Sequence, residues 1–269
     1  MDDAEKLARN REMWDERVPI HVASRFYDVD GFKAGRSALE RFEVEEVGPV
    51  AGIDLVHLQC HFGLDSLSFA RMGARVTGLD FSAPAVAAAT ALAAELALDA
   101  TFVCSDVYEA VAALGGRRFD VVFTGLGALN WLPDLDRWSR VVDELLRPGA
   151  IVYLAEFHPV GNLFGYQDLD VCRSYFGSPE GERDDDPGTY TDEGVITEHN
   201  LSWEWSHPLS EVVSVLLDRG LVLELLHEFP HTLYARWPFL ERRDDGTYHM
   251  PADRPSVPLL YSLRLRKPA

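Results

Sequence analysis

Side chains able to hold a nucleoside recur at three places in the 269-residue chain, each after a short apolar run. LVHLQCHFGLDS turns on Gln59, Cys60, His61 and Gly63; GLDFS ends on Asp80, Phe81 and Ser82; FVCSDVYEA sets Asp106 and Val107 after a third run. Asp80 follows Gly63 by seventeen residues, and a carboxylate there can accept both hydroxyl protons of a ribose. Asp106 can accept from the exocyclic amine of an adenine, while the Val107 N–H faces the ring. A loop, a ribose acceptor and an adenine acceptor thus follow one another along the chain.

These turns need elements that bring them to one edge of the molecule. Residues 53–59 read as a buried strand, 65–73 as a helix closed by Gly73, and 74–80 as a second strand. Residues 82–98 are helical, with Ser82 as the cap and Pro84 in the first turn. A strand over 99–106, a short helix over 107–116, a strand over 119–125, a helix over 134–149 and a strand over 150–157 continue the alternation. A final helix (207–220) and two strands (221–229, 257–267) close it. Such βαβ succession specifies an α/β fold, a doubly wound and mostly parallel sheet covered on both faces. In that architecture ligands sit beyond the carboxyl ends of the strands, where strand order reverses.

With these motifs in order, the chain resembles the class I S-adenosylmethionine-dependent methyltransferases of small-molecule type. VHLQCHFG corresponds to that family's first motif, LDFS to its second, CSDVYEA to its third and FDVVFTGLGALNWLPDL to its fourth. LLRPGAIVYLAEFHP resembles its fifth-strand segment, and the closing helix and strands fit its seven-stranded Rossmann-like sheet. His57 stands where the family carries an acidic residue, and Gln59 and His61 where it carries glycines, leaving Gly63. The resemblance implies S-adenosylmethionine as cofactor, S-adenosylhomocysteine as product, and a small-molecule methyl acceptor with an oxygen, nitrogen or carbon nucleophile. It implies that Trp14, Gln59, Cys60, His61, Gly63, Asp80, Phe81, Ser82, Asp106, Val107, Thr124, Gly125 and Leu126 surround the cofactor, the last three beside its methionine portion.

The sulfonium already activates the methyl group, so direct in-line displacement needs chiefly a well-placed nucleophile. Where a base is required, Glu156 and His158 at the end of the fifth strand are the first candidates, with His61 a third. Glu156 reads equally as a buried, paired carboxylate, and His158 as a structural histidine beside Pro159. Two other readings stand beside methyl transfer. An NAD(P)-dependent dehydrogenase is disfavoured because no G-x-G-x-x-G turn offers a pyrophosphate a resting place; a protein that binds the sulfonium cofactor without transferring methyl is the other.

Residues 1–50 are expected to form a helical lid, its first helix ending near Val18 before Pro19, and 51–269 the methyltransferase domain. Within the latter, 161–207 breaks the alternation and reads as an insertion or substrate cap. Trp14, Arg17, His21, Phe26, Tyr27, Tyr190, Trp203, Trp205 and His207 are candidates for the lid and acceptor pocket. The formal charge of -19 opposes a nucleic-acid partner. Three cysteines without metal-type spacing indicate neither a disulfide framework nor a metal site, and the absence of a leader or long apolar run points to a cytoplasmic protein without a membrane partner. Oligomeric state is not legible.

Overall fold

A computed structural model of the chain describes residues 1–165, 167, 169–192 and 194–269. Tyr166, Asp168 and Glu193, three members of the 161–207 segment, lie outside the described residues. Three helices come first: α1 (Asp3–Ala23), α2 (Val29–Lys33) and α3 (Arg41–Val47). The alternating part follows as β1 (Asp54–Leu58), α4 (Leu64–Arg71), β2 (Arg75–Asp80), α5 (Ala83–Leu96), β3 (Ala100–Cys104), α6 (Ala110–Ala113), β4 (Phe119–Thr124), α7 (Leu135–Leu145) and β5 (Leu146–Phe157). The chain ends with a hairpin of β6 (Glu182–Asp184) and β7 (Ser202–Glu204), then α8 (Leu209–Leu217) and β8 (Val222–Phe229). A small sheet of β9 (His231–Thr232), β10 (Glu241–Arg242) and β11 (Tyr248–His249) precedes β12 (Leu260–Arg266).

Among the described residues, a seven-stranded sheet runs in the order β3-β2-β1-β4-β5-β12-β8. Pairs from β3 through β5 are parallel, whereas β12 is antiparallel to both of its neighbours. Side chains of β1 divide by parity, as strand geometry requires. Val56 and Leu58 join the cluster of Trp138, Val142 and Leu216 on α7 and α8, while Leu55 packs with Phe69, Phe123 and Tyr153 on the opposite face. Both faces are therefore dry at the centre of the sheet, where β1, β2, β4 and β5 are largely buried, whereas the edge strands β3 and β8 are mostly exposed.

The order reverses at β1, between β2 on one side and β4 on the other. This places the carboxyl ends of β1, β2 and β4 around one crevice. No helix among the described residues is long and apolar enough to cross a membrane, and no group of three or more His, Cys, Asp or Glu side chains is placed to hold a metal.

Two boundaries differ from the sequence expectation by four residues or more. Helix α1 runs through Pro19 to Ala23 instead of stopping near Val18. Proline deletes one N–H and forces a bend, but His21 beyond it is buried and bonded on both ring nitrogens, so tertiary contacts carry the last turn. Likewise α7 stops at Leu145, and residues 146–149, expected to be helical, already belong to β5. Leu146 pairs with Phe119, a register shift follows, and Gly149 turns at φ 80° while donating to the Lys267 carbonyl.

Candidate functional site

The turn after β1 is built on two strained residues. Gln59 and His61 adopt φ of 56° and 50°, and Gly63 follows at 81°. The left-handed conformation costs a non-glycine residue about 1 kcal/mol or more, so something must hold each in place. The His61 N–H donates to Asp80 Oδ2 at 2.7 Å, Gln59 Nε2 donates to the Ala128 carbonyl at 2.8 Å, and the Cys60 N–H donates to the Leu79 carbonyl at 3.0 Å. Gln59 and His61 thus follow the backbone path a glycine turn would take, and their side chains are left to act.

Gly63 is needed for packing. A Cβ there would lie 2.7 Å from the Phe102 ring, and at Gly78 it would lie 2.5 Å from the same ring. The Cys60 sulfur points towards Gly78 within the sheet, and burial raises its thiol pKa.

A cavity opens above this turn, with about 790 Å³ of atom-free space, part of it in contact with solvent. Its walls include Trp14, Gln59, His61, Asp80, Phe81, Asp106, Val107 and Leu126, all expected from sequence. Cys60, Gly63, Ser82, Thr124 and Gly125 lie behind that surface. Ser82 is buried and caps α5 by accepting from the Ala85 N–H, and Thr124 is fully buried at the end of β4. Leu7, Tyr108, Gly127, Ala128, Trp131 and Leu132 complete walls that sequence reasoning left unassigned. Three of these six fall within the ALNWLPDL stretch, but nothing local to it shows that the chain doubles back over the cavity.

Asp80 is 6% exposed, and each of its oxygens accepts one backbone N–H, from His61 and from Ser82. Burial nevertheless pushes its pKa up to about 6, above the ordinary 3.8. Each oxygen retains a lone pair, so two further hydroxyl donors can be met. Asp106 accepts from the Tyr108 N–H through Oδ1, capping the short 3₁₀ turn at Val107, and also lines the cavity. Gln59 Oε1 is buried and has no hydrogen-bond partner.

A chain of polar contacts leads away from the turn. His61 Nε2 and His21 Nδ1 share a hydrogen bond of 2.9 Å, and His21 Nε2 meets Thr189 Oγ1 at 2.7 Å. Burial, with Arg17 adding to it, lowers the His21 pKa to about 4. His61 is held well below its usual 6.5 by burial and by His21. Both rings are therefore neutral near pH 7. Trp14 meets the His61 ring edge-on at 5.3 Å, and the hydroxyls of Tyr27 and Tyr190 are bonded to each other.

The two proposed bases on β5 lie elsewhere. Glu156 is 6% exposed, and its carboxylate accepts four backbone N–H groups, from Gly127, Ala128, Leu129 and Phe157, at 2.6–3.0 Å. His158 is buried against Tyr261, with Nε2 2.9 Å from Glu228 and Nδ1 accepting from the Val160 N–H. Neither lines the cavity. Both were expected as candidate bases, and their polar atoms are engaged by main chain and by a surface carboxylate.

Comparison with known proteins is consistent with this geometry. Residues 56–152 match the family model described as a methyltransferase domain. A ubiquinone biosynthesis O-methyltransferase of Methylobacterium sp. (strain 4-46) is 31% identical over 263 residues, covering 95% of this chain and 96% of that one. The protein of that name from Methylobacterium nodulans is 28% identical, covering 94% and 96%. Among solved structures, an S-adenosylmethionine-dependent methyltransferase from Mesorhizobium loti superposes with a TM-score of 0.59 at 20% identity, over 87% of this chain and all of that one. The [4+2]-cyclase SpnF superposes with 0.56 at 16% identity, over 96% and 95%. At such identities a solved structure speaks for the fold alone, and one fold hosts more than one chemistry.

Proposed function

The chain belongs to the class I S-adenosylmethionine-dependent methyltransferases, and on that footing we propose that it methylates a hydroxyl oxygen on a small aromatic acceptor. The observation that carries this reading is the neutral, hydrogen-bonded His61–His21 pair at the wall of the cavity. An amine that is already neutral needs no base before attack, whereas a hydroxyl must lose its proton as the new bond forms. The relatives named O-methyltransferase agree with an oxygen acceptor.

The residues present fit the cofactor. Gln59 offers an orphaned, buried acceptor oxygen suited to an ammonium group. Asp80 retains a lone pair on each oxygen for the ribose hydroxyls, Phe81 offers an apolar face to adenine, and Asp106 with the Val107 N–H reads its edge. Leu126, on the cavity wall, would lie beside the methionine portion. When bound, S-adenosylmethionine supplies a methyl group made electrophilic by its positive sulfur.

The protein's own part is to orient the acceptor and take up its proton. Trp14, Trp131, Tyr27 and Tyr190 give the cavity aromatic walls against which a planar ring can lie. With His61 Nε2 donating to His21 Nδ1, the lone pair of His61 Nδ1 is left to accept the hydroxyl proton. His21 Nε2–H then donates to Thr189 Oγ1 and spreads the charge towards the 161–207 segment, which we assign as the substrate cap. Residues 1–50 serve as the lid in this assignment, and 51–269 as the catalytic domain.

Replacing His61 by glycine tests the base without disturbing the turn, because glycine is at ease at φ 50°. kcat is expected to fall by about 10²-fold or more, a far larger change than any in S-adenosylhomocysteine affinity. A His61→Gly enzyme with unchanged kcat removes the proton-accepting role.

A further inference from the structure

Glu156 lies at the end of β5, away from the cavity surface, yet three of its four backbone donors belong to the turn after β4. Leaving a buried carboxylate without partners is costly. The carboxylate therefore gathers the N–H groups of Gly127, Ala128 and Leu129 around itself, against the burial that raises its pKa. Gly127 adopts φ 75° in the same turn, where a Cβ would meet the Phe157 ring at 3.4 Å.

The middle residue of that turn reaches back to the strand-one loop. The Ala128 carbonyl accepts from Gln59 Nε2 at 2.8 Å, which fixes the two ends of the amide. With the NH₂ end committed to Ala128, the buried and unpartnered Oε1 is the end left for a ligand. We infer that Glu156 is a positioning residue, folding the 127–129 turn so that Ala128 sets the Gln59 amide with its oxygen available to the cofactor's ammonium group. The inference rests on the cofactor assignment above. It gives Glu156 a task in recognising the amino-acid tail and none in moving protons.

Titration calorimetry with S-adenosylhomocysteine and with methylthioadenosine, which lacks the amino-acid tail, tests it on the wild type, Gln59→Ala, Glu156→Gln and the double variant. Each single substitution is expected to weaken S-adenosylhomocysteine by about tenfold, the worth of a hydrogen bond to a charged group. Methylthioadenosine should bind all four proteins alike. The double variant should be no weaker than the poorer single, since one acts through the other.

Additive losses in the double variant, or equal losses for both ligands in Glu156→Gln, would overturn the positioning role. A wild type that binds neither ligand would instead overturn the cofactor assignment. Should Glu156→Gln not fold, Gly127→Ala displaces the same turn with the carboxylate intact. It must then show the same selective loss of S-adenosylhomocysteine, and an unchanged affinity sinks the inference.

Discussion

Asp80 carries the clearest pH signature at the scale of single residues. Its pKa stands at about 6 because the carboxylate is buried, and backbone N–H groups, those of Ser82 and His61 first, oppose that shift without cancelling it. A folded pKa above the ordinary 3.8 means that this group favours the cofactor-free fold most below that value, and that the contribution is lost as pH rises through about 6. Ribose hydroxyls favour the ionised form, so cofactor affinity should run the opposite way. S-Adenosylhomocysteine affinity is expected to be flat at pH 7–8 and to fall by up to about tenfold per unit below pH 6. Calorimetry across that range checks it, and Asp80→Asn should remove the dependence. His21 stays neutral down to about pH 4, so kcat at saturating cofactor should not share this acid limb. Sequence pattern located Asp80 and Asp106 because strand ends are legible as breaks in apolar runs. It could not show that Glu156 is enclosed by four backbone donors, since three come from a turn 27–29 residues away.

Among the elements, α1 and the segment around β6 and β7 are joined edge to edge beside the cavity. The Asn10 amide is fully buried and bonds both ways with Trp203, donating to its carbonyl and accepting from its N–H, each at 2.8 Å. Arg17 donates to the His199 carbonyl, and Glu16 accepts from the N–H groups of Glu198 and His199. Asn10→Ala leaves two buried main-chain groups of Trp203 unsatisfied, which should cost about 2 kcal/mol or more. A urea transition with an unaltered midpoint would show that the pair holds nothing together. A charged run free of Gly and Pro indicated a helix ending near Val18 and placed its end too early, because the contacts that extend it past Pro19 are supplied by residues 61 and 189. The strands of the small β9–β11 sheet are two residues each, too short to register any alternation.

On the scale of the whole molecule, the parallel sheet was legible because its central strands are buried on both faces and read as largely apolar runs between helices. The crevice at the strand-order reversal follows from that topology, whereas residues 161–207, which contribute Tyr190 to its wall, carry little regular structure. The net charge of -19 opposes anionic acceptors at low salt. For a carboxylated aromatic acceptor, KM should therefore fall as ionic strength rises, while that of a neutral phenol stays constant; identical salt responses would discount the field. Methyl transfer to oxygen is the claim on which the rest depends. The most direct measurement is turnover of ¹³C-methyl-labelled S-adenosylmethionine with a panel of hydroxylated and aminated aromatic compounds, read by carbon NMR of the product. A methoxy carbon appearing together with S-adenosylhomocysteine is the predicted result, and label on nitrogen or carbon, or cofactor bound without turnover, contradicts it.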